Sequence, residues 1–285
     1  LRGMYNGDRA RKKALIDYGF RLQASYDNRP LKFDEIEREM ARTFGLAATK
    51  AGVKQIVYLG GIANDSKKSR HLQSRADTGI ELAKYGVPVL ELRAGIIIGS
   101  GSASFEMLRH LTHRLPVMTT PKWVKNRTQP IAIRDVLYYL IKTAELEQPI
   151  TGVYDIGGPD VVTYEGMMQT FANVAGLRKR LVVKVPVLTP SLSSLWIGLV
   201  TPVPTTLARP LVESLISEVV VDANKSIEKI IPKPTDGLTS VNTAIELALE
   251  KAAINNVETR WSDATTPTAP WQKAQGDPSW SGAAE

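Results

Sequence analysis

The sequence predicts an α/β protein built on a mostly parallel sheet. Strand-like and helix-like segments alternate along much of the chain, the strand-like ones are near-continuous apolar runs, and several helix-like ones carry start or stop residues. Such alternation argues for βαβ units, and unbroken apolar runs argue for strands covered on both faces. A chain of 285 residues can form one large domain or two modest ones. Its 43% hydrophobic and 23% charged residues are those of a globular protein.

Regular pattern begins at "FDEIEREMARTFGLAATKAGV". Asp34 with Glu37 three residues on forms an Asp variant of the capping box, Phe33 takes the staple position, and Gly52 ends the helix. Ile36, Met40, Phe44 and the Ala47/Ala48 pair share one face. Burial of the three large side chains is therefore expected, at about 1.5–3 kcal/mol each. "VKQIVYLGG" reads as a short strand; a polar loop follows, and then a helix from roughly Leu72 to Tyr85. "VPVLELRAGIIIG" is a second buried strand, "SASFEMLRHLTHRL" a helix opening at a serine N-cap, and "IRDVLYYLIKTAEL" another helix. "GVYDIGG" is a third strand, "TYEGMMQTFANVAG" a helix capped by Thr163 and closed by Gly176, and "RLVVKVPV" a fourth strand. "LTSVNTAIELALEKA" is a last amphipathic helix.

The remaining segments differ in texture. From Leu188, large apolar residues alternate with Pro190, Pro202, Pro204 and Pro210, which predicts short helices broken by proline. Residues 188–250 are expected to form a cap or substrate-side region, with plain packing as the alternative. Residues 1–32 show no sustained periodicity and open with Leu1 rather than Met; they read as a poorly ordered or misread leader. Residues 251–285, rich in Pro, Ser, Thr and Asp, read as a linker to an absent C-terminal domain. The net charge of +7 is concentrated in the leader, which holds eight basic residues against three acidic ones. The rest has 28 bases against 26 acids, so no nucleic-acid partner is expected there. The absence of cysteine excludes disulfides and thiolate chemistry. No apolar run reaches the roughly 18 residues of a membrane span. The leader also lacks the apolar core of a secretory signal, so a cytoplasmic location is expected.

"VKQIVYLGG", "GVPVLELRAGIIIGSGSASFEMLRHLTHRLPVM", "QPIAIRDVLYYL" and "YDIGGPDVVTYEGMMQ" together resemble the atypical, NmrA-like branch of the short-chain dehydrogenase/reductase superfamily, over about residues 33–260. The resemblance implies a Rossmann-like sheet with helices on both faces, NAD(P) as cofactor, and an oxidoreductase or nucleotide-sugar epimerase-like activity on an unknown small molecule. The family holds the dinucleotide's diphosphate on a Gly-rich turn after its first strand. No such turn occurs in the first 50 residues, where glycines stand singly at Gly3, Gly7, Gly19 and Gly45. Residues 33–187 thus resemble the C-terminal half of the domain, with the N-terminal part of the sheet missing.

In catalytic members of that family a serine ends the "IVYL" strand and a Tyr-x-x-x-Lys pair follows on the next helix. Here the serine position reads Gly60/Gly61, and the Tyr-x-x-x-Lys register is best matched by His71 and Arg75. Histidine exchanges protons near neutral pH, and arginine can hold a ribose without giving up its proton. The pair is either catalytic or a solvated helix start. The resemblance places Gly60, Gly61, Arg75, Arg93, Ala94 and Gly95 on the cofactor side, and Gly99, Trp123 and Arg127 on the substrate side. Trp123, Lys125 and Arg127 read equally as a solvated loop, and Asp135 as a helix cap rather than a chemical group. His110 and His113 share a helix without nearby acids or cysteine in the sequence, so no metal is expected. With Ser, Tyr and Lys all replaced, a non-catalytic dinucleotide-sensing or scaffold protein is the alternative.

Overall fold

The computed structural model describes residues 33–62, 70–120, 122–184, 213 and 216–253. The leader, most of the proline-interrupted cap and the C-terminal linker therefore lie outside the described residues. The first helix, α1 (Phe33–Lys50), ends as its glycine predicts. Gly52 has φ 65°, the Val53 N–H donates to the Ala48 carbonyl at 3.0 Å, and the Gly52 N–H donates to Thr49 at 3.1 Å. This left-handed stop satisfies carbonyls the helix itself cannot reach.

The buried face of α1 is not the expected one. Met40 and Phe44 are 60% and 56% exposed, whereas Ala41, Gly45 and Ala48 are buried. Both stripes have helical spacing. The small one wins because the Tyr85 ring lies where a Gly45 Cβ would project, and the Thr49 hydroxyl bonds the Tyr85 carbonyl at 2.5 Å. Close approach of backbone and ring replaces burial of large side chains.

After α1 come β1 (Ile56–Gly61), α2 (Arg70–Leu82), β2 (Val89–Ala94), β3 (Ile97–Ile98) and α3 (Ala103–Arg114). The chain continues through β4 (Val117–Thr120), β5 (Arg127–Thr128), β6 (Ile131–Ala132), α4 (Ile133–Ala144) and β7 (Gly152–Ile156). It closes with β8 (Val162–Thr163), α5 (Tyr164–Val174), β9 (Leu181–Lys184) and α6 (Val241–Ala253). The main sheet is parallel, in the order β1-β2-β7, with Leu59 beside Leu92 and Leu92 beside Tyr154. Alternation along its strands sends Ile56 and Val89 toward α1 and α2, and Leu90, Leu92, Ala94 and Ile156 toward Val136 and Tyr139 of α4. Helices thus cover both faces. The fourth predicted strand, β9, pairs in parallel with β4 rather than joining this sheet.

A second core lies between α3, α5 and α6. Phe105 and Phe171 meet there at 6.1 Å between ring centroids, a tilted aromatic contact. Residues 216–250, expected as part of a cap, supply both cores: Ile227 and Ile231 pack with the sheet, and Val241, Ala244 and Ile245 pack with α3 and α5. Two predicted caps also differ in detail. Thr163 accepts from the Gly166 N–H at 2.9 Å as expected, but the Ser102 hydroxyl donates to the Ile97 carbonyl at 3.0 Å instead of capping α3. Asp135 does not cap α4 either. Buried at its start, it accepts from the Thr239 N–H at 2.8 Å and the Thr239 hydroxyl at 3.1 Å, tying α4 to the segment that leads into α6.

Candidate functional site

A cavity of about 300 Å³ opens at the C-terminal ends of β1 and β2, where α3 and α5 begin. In parallel α/β sheets this end of the strands is where ligands bind. The cavity gathers five of the residues expected from the sequence: Gly60 and Gly61 from β1, Arg75 from α2, and Ala94 and Gly95 from β2 and the turn after it. The glycines are there for space. A Cβ on Gly60 would meet the Glu91 carboxylate at 2.8 Å, and one on Gly95 would meet Val219 at 2.9 Å. Removing side chains at these three positions leaves backbone as the wall.

Arg75 is fixed at the rim by a carboxylate from α1. Its Nε stands 3.5 Å from Glu37 Oε1, and the other Glu37 oxygen accepts the Ser74 hydroxyl at 2.5 Å. The Tyr58 hydroxyl donates to the Arg75 carbonyl at 3.1 Å. Burial raises the Tyr58 phenol above its ordinary value despite the nearby guanidinium, so it remains a donor at neutral pH. His71 sits one turn earlier on α2; its side chain lies outside the described residues.

Four other candidates do not line this cavity. Arg93 turns back along its strand to the buried Glu91, 2.7 Å away. Gly99 lies against Ile133, whose Cγ2 would sit 2.8 Å from an added Cβ. Arg127 forms two 2.9 Å bonds to Glu218 on the surface. Trp123 lies in the 3-10 turn Lys122–Lys125, and its side chain is outside the described residues. Elsewhere, His110 is buried 3.3 Å from Glu106, and burial lowers its imidazole below the ordinary value. No cluster that could hold a metal ion occurs among the described residues.

The structure adds residues that sequence reasoning missed. Tyr164, the first residue of α5, is buried in the cavity wall, and burial raises its phenol so that it stays protonated. Ser104 in the first turn of α3 also lines the cavity, with Leu59, Ile62, Leu72, Met107 and Val219 as apolar wall. The Thr163 cap announced where α5 starts, but nothing local showed that its first residue would meet the ends of β1 and β2. The site can therefore hold a ring against apolar side chains and offer it a phenol, a hydroxyl and a guanidinium.

No family model matches the chain. Among curated proteins, UvrABC system protein B of Methanosarcina acetivorans is 44% identical over 84 residues, which is 26% of this chain and 12% of that protein. Its counterpart in Burkholderia mallei is 60% identical over 57 residues, 20% of this chain and 8% of that protein. The chain spans about a tenth of the length of these relatives, and the match involves about a quarter of the chain or less. The fold is shared more widely. The Citrobacter sp. triphenylmethane reductase complexed with NADP(H) superimposes with TM-score 0.58 at 17% identity, covering 77% of this chain and 74% of that one. A Staphylococcus aureus nucleoside-diphosphate-sugar epimerase gives 0.58 at 12% identity, with 76% and 74% covered. An NADPH-dependent quinone oxidoreductase of Escherichia coli gives 0.54 at 17% identity, with 72% and 71% covered. The chain thus has the Rossmann-like fold seen in NAD(P)-binding reductases and sugar epimerases. No helix among the described residues is long and apolar enough to cross a membrane.

Proposed function

We propose that the chain carries the nicotinamide and substrate side of an NAD(P)-binding oxidoreductase or epimerase-like protein of the atypical, NmrA-like short-chain dehydrogenase/reductase type. The observation that carries this reading is the cavity at the ends of β1 and β2, walled by Gly60, Gly61, Ala94 and Gly95 and closed on one side by Arg75. Bare backbone beside a fixed cation fits the ring and ribose of a nicotinamide nucleotide, whose bound nicotinamide would supply or accept the hydride. Arg75 would hold the ribose, and His71 would exchange the proton at neutral pH. Trp123, Arg93, Gly99 and Arg127 keep only a supporting place, since none lines the cavity.

A grip for the diphosphate is not found among the described residues, and the reading that the N-terminal part of the sheet is missing has support at β1. Among the described residues β1 pairs with β2 alone. Beside it α4 exposes Ile133, Leu137 and Ile141 at 44%, 50% and 55%, one stripe at helical spacing. An unpaired parallel edge next to an apolar helix flank suits a further strand with its helix.

The test is NAD(P)H consumption by the gene product, translated from its upstream start, with a panel of carbonyl and quinone acceptors. Turnover lost in His71→Ala with nucleotide binding retained is the expected result. The second reading, a non-catalytic dinucleotide sensor or scaffold, is favoured by the glycines at the serine position and by histidine and arginine at the Tyr-x-x-x-Lys register. Tight nucleotide binding with no turnover on any acceptor would establish it, and absence of nucleotide binding would refute both.

A further inference from the structure

From the cavity wall we infer the class of substrate and a new contact for it: a flat, apolar carbonyl compound of the quinone type, its oxygen hydrogen-bonded by the Tyr164 hydroxyl. The inference rests on reading the cavity as the substrate side of an oxidoreductase. Among the described lining residues the polar side chains are Arg75, Ser104 and Tyr164; there is no carboxylate and no amide. Arg75 is already opposed by Glu37.

A nucleotide sugar would bring a ring of hydroxyls and two phosphates into this space. Each hydroxyl left without a partner costs about 1–3 kcal/mol, and three polar side chains, one already paired, cannot serve them. A planar carbonyl compound needs only one or two donors. Its ring faces match the Leu59, Leu72, Ile96, Met107 and Val219 side chains of the wall. The volume of about 300 Å³ lies at the small end of ligand pockets, enough for a bicyclic ring.

Tyr164 suits the donor's role for three reasons. It is the first residue of α5, placed by the Thr163 cap. It is 3% exposed and lines the cavity, so a bond to it forms away from water. Burial also keeps its proton in place, so the phenol donates rather than accepts.

The test is equilibrium binding to the 285-residue chain, titrated separately with menadione, UDP-glucose and NADPH. The chain has no cysteine, so a quinone has no thiol to alkylate. Menadione is expected to bind and UDP-glucose not. Tyr164→Phe should weaken menadione about 3- to 10-fold, the loss of one hydrogen bond, without lowering the melting temperature. Ser104→Phe, at the half-buried start of α3, should fill the cavity and abolish menadione binding. UDP-glucose binding that Ser104→Phe abolishes, with no menadione binding, would overturn the inference while leaving an epimerase-like reading intact. NADPH binding with neither substrate probe bound would also overturn it. Menadione binding without NADPH binding would instead count against the cofactor reading and leave the substrate site standing. Unchanged affinity in Tyr164→Phe would remove the phenol from the site.

Discussion

At one edge of the main sheet, β7 is covered. Its Asp155 N–H donates to the Lys225 carbonyl at 2.7 Å, its carboxylate accepts from the Asp222 N–H at 3.1 Å, and Ile227 and Ile231 fold over into the core. At the other edge, β1 meets only β2 among the described residues, and after Ile56 every residue of it is half-buried. The helix α4 shows the same asymmetry. One flank is tied down by the Asp135 bonds to Thr239 and by Tyr138, whose hydroxyl donates to Pro232 at 3.0 Å. The flank bearing Leu137 and Ile141 is exposed. A chain segment that satisfies strand-edge hydrogen bonds also delivers apolar side chains, so polar closure and burial arrive together.

Three substitutions would break or sharpen this contrast. The largest effect belongs to the covered edge: Ile227, 1% exposed, becomes a cavity in Ile227→Ala. The expected loss is about 2–5 kcal/mol, a fall in Tm of roughly 4–20 °C by calorimetry. Leu137→Ala, 50% exposed on the open flank, should cost well under half as much, and equal losses would erase the distinction. Next, Leu137→Glu should change stability in urea by no more than about 0.5 kcal/mol, as an exposed position does. A clearly larger loss would mean that the stripe is covered in solution.

The smallest effect concerns pH. Burial raises the Asp155 carboxyl above its ordinary value of 3.8, ahead of the opposing pulls of the Asp222 N–H, Lys225 and Arg93. Its folded value therefore exceeds its unfolded one. Between the two the folded state holds the extra proton, so this group's contribution to stability falls as pH rises from 3.8 through the folded value. Asp155→Asn keeps an oxygen for the Asp222 N–H and should remove that downward slope. Denaturation midpoints of the two proteins from pH 4 to 7 would show it, and parallel profiles would contradict it.

Much of the element order could be read locally. Gly52 and Gly176 end helices with φ 65° and 66°, and Thr163 caps α5, because such signals act within one turn of chain. Cores are less local. Met40 and Phe44 share helical spacing with Ala41 and Gly45, and only the neighbour that approaches α1, Tyr85, decides which stripe is inside. The two-residue strands β3, β5, β6 and β8 went unread because each has its partner about thirty residues or more along the chain. For the site, glycines at strand ends were visible as Gly60, Gly61 and Gly95, while Tyr164 was hidden among ordinary helix residues. The partial relation to UvrABC system protein B was not among the resemblances read from the residues.

Alone, then, the chain of residues determined which segments coil, which extend and where each stops, since caps, glycines and apolar periods act over a few neighbours. Only the assembled fold decided that Arg93 serves Glu91 while Arg75 faces the cavity, and that Tyr164 meets the end of β1 from about a hundred positions away. Side-chain direction and company depend on contacts between distant segments, and these exist only once the sheet and its helices have packed.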